Sequence, residues 1–83
     1  MTTTTKQQEV ALTRVHLTHP VTCPRTNGVG FESATSQFHV RDDQRGAGRC
    51  ETISLRGGFV VLQMRGCYPT EVPLHQVAWL VRQ

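Results

Sequence analysis

Between Thr52 and Gln83 the chain is a series of short apolar segments, TISLR, FVVLQM, TEVP and VAWLV, separated by Gly57-Gly58, Arg65-Gly66 and Pro73. Segments of that length between such breakers are strands. Just over half of the chain's apolar residues lie between Ile53 and Val81, so the core is expected to be built there. FVVLQM has no polar alternation over its first four residues, the mark of a strand covered on both faces, and is expected to be the central strand. On that reading Val61, with Phe59 and Leu62 beside it, is the stability centre, and Val61→Asp should unfold the protein.

The first half carries fewer such segments. Residues 1–8, with four threonines in a row, form a polar lead expected to fray, followed by a single domain over 9–83. In EVALTRVHLT, Ala11, Thr13, Val15 and Leu17 fall on one face at period two, which favours a strand. A Thr5 to Gln8 capping-box spacing keeps a helix as the alternative. HPVTCPRTNGVG contains two prolines, Asn27-Gly28 and Gly30, and is a long connection of turn chemistry. SQFHVR is the next strand, and DDQRGAGR, with Gly46 and Gly48 among charges, suits a solvated hairpin tip.

At the other end, TEVPLHQVAWLVR splits at Pro73 into a short edge strand, a tight turn near 75–77 and a last strand through Leu80. This strand, one-turn, strand pattern resembles the closing element of small SH3-like or Sm-like barrels, in which the last strand returns to pair with the first. The resemblance covers about a third of the chain. It implies an all-β fold, a small, partly open antiparallel barrel of five to six strands with a short helical turn near 75–77. The aromatic, proline-reading positions of SH3 peptide binders and the Sm-type RNA-binding signatures are not found, so the likeness carries no function.

A chain of 83 residues is one domain, and at that size folding removes only about 60% of the unfolded surface from water. The N-terminus lacks the apolar run of a signal peptide, and no segment approaches a membrane span, so a soluble, cytoplasmic protein is expected. Cys23, Cys50 and Cys67 are an odd number and fit reduced thiols. Cys50 and Cys67 flank strands and should pack as small hydrophobes, whereas Cys23, beside Pro24 in a loop, should be exposed.

The net charge of +3 comes from eight Arg and one Lys against six acids, spread thinly, without the dense basic stripe of a dedicated nucleic-acid binder. His16, His19 and Cys23, with Cys50, Cys67, His39 or His75 as a fourth ligand, are the best metal candidates. They lack paired knuckle spacing, so neither a metal nor another cofactor is expected. No thiol sits in a nucleophile turn and no carboxylates pair, which argues against an enzyme. NGVG, RGAGR and RGG lack the lysine and following helix of a nucleotide loop.

Two binding readings remain. In the first, the chain is a small non-enzymatic protein-interaction module, of the kind phages and mobile elements use as regulators or inhibitors docking on a larger host protein. In the alternative, it is a nucleic-acid-binding barrel with arginines on phosphates and Phe38, Phe59 or Tyr68 stacking on bases. Both place the site at the Arg-rich tip, with Arg41, Asp42, Asp43, Arg45, Arg49, Arg56 and Tyr68 as binding residues, because guanidinium groups pair bidentately with carboxylate or phosphate. The sheet edge around Tyr68, Glu71 and His75 is the alternative location. Trp79 is an interface type of residue, but its alternation with Val77 and Val81 predicts a side chain facing the core.

Overall fold

The computed structural model describes residues 9–32, 34–40 and 48–83. The lead over 1–8 and the tip residues Arg41, Asp42, Asp43 and Arg45 lie outside the described residues. Six antiparallel strands form one sheet: β1 (Glu9–Val21), β2 (Thr35–His39), β3 (Thr52–Arg56), β4 (Phe59–Gln63), β5 (Thr70–Pro73) and β6 (Val77–Arg82). A 3-10 turn, Leu74–Gln76, joins β5 to β6, and its Leu74 N–H donates to the Gly58 carbonyl at 2.9 Å. The result is a curled half-barrel, in agreement with the small, partly open barrel expected.

The long first strand organises it. β2 and β6 both pair with Arg14–His16, so they lie on opposite edges of β1. β3 and β6 both pair with Leu12, so β3 lies on the same edge as β2, end to end with it. β4 and then β5 continue from β3. Centrality therefore belongs to β1, while β4 is one of the interior strands.

Register decides which residues enter the core. Val10, Leu55, Val60 and Val72 form one inward cross-strand row, and Leu12, Ile53 and Leu62 head the next. Val60 and Leu62 are fully buried, whereas Val61 is half-buried and Phe59 is 44% exposed. This corrects the expectation that FVVLQM is covered on both faces with Val61 at its centre. Ser54, Glu71 and Ala11 share Val61's outward row, and that row is open to water.

Two bulges correct the rest. On β1 the pairing steps from Leu12–Arg82 to Arg14–Val81, leaving Thr13 as an extra residue whose hydroxyl donates to the Val81 carbonyl at 3.3 Å. Inward positions therefore run Leu12, Val15, Leu17, and not Ala11, Thr13, Val15, Leu17. On β6 the step from His16–Trp79 to Leu17–Val77 leaves Ala78 as the extra residue. Val77 and Leu80 consequently pack against the core, while Trp79 and Val81 turn outward, 46% and 44% exposed.

Residues 23–32 form a small hairpin of their own. Pro24 bridges Phe31, Asn27 Oδ1 accepts the Val29 N–H at 2.9 Å, and the Arg25 and Glu32 side chains meet at 2.8 Å. The hairpin docks on the β4–β5 turn: Thr26 N–H donates to the Gly66 carbonyl at 3.0 Å and Tyr68 N–H to the Pro24 carbonyl at 2.9 Å. That docking buries Cys23, contrary to the expected exposure, and it joins Cys50 and Cys67 in the core as a free thiol.

Burial has a chemical consequence for these thiols. Cys50 is pushed up to about 12 by desolvation, with the neighbouring Cys23 and Cys67 adding to it. Cys67 is raised by burial, then by Glu32 and Cys23, against the opposing pull of Arg25. Native protein should react only slowly with a thiol reagent and release all three thiols on denaturation. Cys50 stays neutral when folded at pH values where the unfolded chain ionises. Its contribution to stability is therefore complete below pH 9 and falls as pH rises from 9 toward about 12. Denaturant midpoints measured across that range should show a decline that is shallower in Cys50→Ala; equal slopes would contradict the assignment.

Candidate interaction surface

The residues expected to bind do not converge. Arg56 lies at the β3–β4 hairpin, where it pairs with Glu9 at 3.4 Å, both groups more than half exposed. Such a pair contributes about 0–1 kcal/mol. Arg49 and Tyr68, both exposed, lie toward the other end of β3 and β4. Arg49 bridges His39 and, with Val40, Cys50, Glu51 and Arg65, lines a cleft of about 400 Å³. Tyr68 belongs to the docked-loop end, where Val29 and Phe31 are also exposed.

Residues 39 and 48–50 are joined by backbone. His39 N–H donates to the Gly48 carbonyl at 2.9 Å and Cys50 N–H to the His39 carbonyl at 2.7 Å. Gly48 takes a φ of +90°, which L side chains rarely adopt, and packs directly against the Gln37 carbonyl. His39 itself is 8% exposed, and its Nδ1 has no hydrogen-bond partner among the described residues.

A more coherent surface lies on the outward face of β2, β1 and β6. Cross-strand partners share a face, so Gln37, His16 and Trp79 form one row, and Arg14 and Val81 belong to the next, whose third member, His39, is buried. The His16 and Trp79 rings are 5.3 Å apart and tilted by 32°, within the range of a favourable ring pair. Neither row contains an acid. Two of the described glutamates, Glu9 and Glu32, are paired with Arg56 and Arg25 elsewhere. β6 has β1 as its one strand partner, and its other edge is unpaired, among the described residues.

Other chemistry is weakly served. Among the described residues no group of three or more His, Cys, Asp or Glu is arranged to hold a metal ion. A thiol pushed up to about 12, as Cys50 is, is a poor nucleophile at neutral pH. No helix among the described residues is long and apolar enough to cross a membrane.

Sequence reasoning missed this surface because the Ala78 bulge reverses the face on which Trp79 falls. No protein-family model matches the chain, and comparisons with curated proteins and with solved structures give no match. What the fold and surface define is a small all-β half-barrel with an exposed aromatic on an open edge strand.

Proposed function

We propose that the chain is a small non-enzymatic protein-interaction module that docks on a larger protein, in the manner of a regulator or inhibitor, through β6. The observation that carries this reading is the exposure of Trp79 and Val81 on one face of a strand with a free edge. Large apolar side chains left in water beside unpaired backbone are costly, and a docking partner removes both liabilities. Trp at the centre of such a patch is the residue type that most often anchors an interface. The proposed site is thus β6 in place of the Arg-rich tip.

Affinity capture with wild-type and Trp79→Ala baits tests this. A stoichiometric protein held by wild type should be released or weakened about thirtyfold by the substitution, with little change in melting temperature, since Trp79 is 46% exposed. Capture unaffected by Trp79→Ala would contradict the proposal.

The nucleic-acid reading keeps one observation in its favour, the Trp79–His16 ring pair beside Arg14. It requires oligonucleotide binding that falls steeply with salt, by about one unit of log–log slope for each phosphate contact. Binding of that kind, lost in Trp79→Ala, would replace the protein-docking reading.

A further inference from the structure

We infer that the free edge of β6 accepts a short, extended, acidic segment of a partner protein as an added strand, with an apolar side chain of that segment seated on Trp79 and Val81. This rests on the protein-docking reading and specifies the partner's chemistry.

Three observations select this edge and this occupant. The half-barrel has two further edge strands: β2, where the His39 N–H and carbonyl are already bonded to Gly48 and Cys50, and β5, which is four residues long, follows Pro69 and ends in Pro73, so the groups available for main-chain pairing are reduced at both. β6 contains no proline, and Arg82 is its one charged residue. Its unpaired amides and carbonyls are the template on which a strand adds. The Ala78 bulge confines regular pairing to Trp79–Arg82, so the added strand is short and much of its affinity must come from side chains.

Charge fixes the chemistry of that strand. Arg14 stands opposite Val81 on β1, and Arg82 ends β6, with no described acid in the cross-strand rows through Trp79 and Val81. Arg82 pairs with the inward Leu12 and so points to the face opposite Trp79 and Val81; in an added strand, carboxylates alternating with apolar residues would meet Arg82 while the apolar neighbours cover Trp79 and Val81. A second copy of this chain is a poorer occupant. The β6 strand of a second copy carries Arg82 as its one charged residue and so offers no carboxylate to the arginine of the first.

The test uses the full chain and three labelled probes: a short peptide alternating Asp and Val around one Phe, the same peptide with Lys for Asp, and oligothymidylate. Fluorescence anisotropy gives the affinities, and backbone amide shifts locate the binding. The Asp peptide should bind, shift the amides of Trp79–Arg82, and lose about tenfold or more in affinity with Trp79→Ala. Arg82→Glu, at an exposed strand end, should leave the melt unchanged and reverse the preference toward the Lys peptide. Equal binding of the Asp and Lys peptides at β6 would overturn the acidic partner and leave protein docking standing. Shifts located off β6, or no binding of the Asp peptide, would overturn strand addition, and the capture experiment would then decide the docking reading alone. Oligothymidylate binding on the same residues, without the Asp peptide, would overturn both.

Discussion

Val60→Asp is expected to abolish the cooperative thermal transition, while Val61→Asp, one residue along, leaves a folded domain. Val60 is fully buried between Leu55 of β3 and Val72 of β5. A carboxylate there must be neutralised or must draw in water, at about 4–7 kcal/mol, and about 2 kcal/mol of apolar burial is lost with the valine. A domain of 83 residues has about 4–12 kcal/mol of stability in total, so the substitution removes most or all of it. Val61 points the other way, half-buried, opposite Ser54 and Glu71. Asp at Val61 meets a like charge at Glu71 and gives up some apolar cover, a loss of about 1–2 kcal/mol. Circular dichroism melts of the two variants provide the check. A cooperative transition in Val60→Asp, or its absence in Val61→Asp, would mean that β4 is registered one residue differently.

Gly48→Ala is the second large effect, expected to cost about 2–4 kcal/mol from backbone geometry alone. A Cβ at Gly48 would lie far inside van der Waals contact distance of the Gln37 carbonyl oxygen and also press on the Thr35 methyl, at a φ of +90° that already disfavours any side chain. The hydrogen bonds on either side of Gly48, from His39 and Cys50, resist the shift that would relieve the clash. Gly28→Ala is the control, because its φ of +79° imposes the same kind of strain and no atom lies within 4 Å of the added methyl. That variant should lose about 1 kcal/mol. Denaturant unfolding of the pair separates contact from strain, and equal losses would show that the close approach to Gln37 is absent.

These contrasts separate what is legible in the sequence from what is not. The breaks at Gly57-Gly58, Arg65-Gly66 and Pro73 are chemical and local, so the strands they bound and the turn near His75 follow from residue types alone. Pairing of the last strand with the first, implied by the resemblance to small barrels, is present in the antiparallel register of β6 on β1. Facing is another matter. One extra residue flips every later side chain to the opposite face, and nothing in LTRVH or QVAWL marks Thr13 or Ala78 as that residue. For the same reason Trp79, expected in the core, is exposed. An apolar run such as FVVLQM likewise does not say which of its residues face inward, and the centre of β4 falls at Val60 and Leu62 in place of Val61. Cys23 differs from expectation for another reason, since its burial depends on the 23–32 hairpin docking at Gly66 and Tyr68, some forty residues away in sequence. The Arg-rich tip stands out by residue type alone, and four of its residues lie outside the described part of the chain.

Amide hydrogen exchange of the chain, free and bound to the protein it captures, tests the central claim most directly. In the free protein the β6 amides directed toward β1 should be protected and those on the open edge should exchange rapidly. Binding should slow exchange across Val77–Arg82 and leave β5 unchanged. Protection that appears instead at the docked hairpin around Val29, Phe31 and Tyr68, with β6 unaltered, would contradict the assignment of β6 as the docking surface.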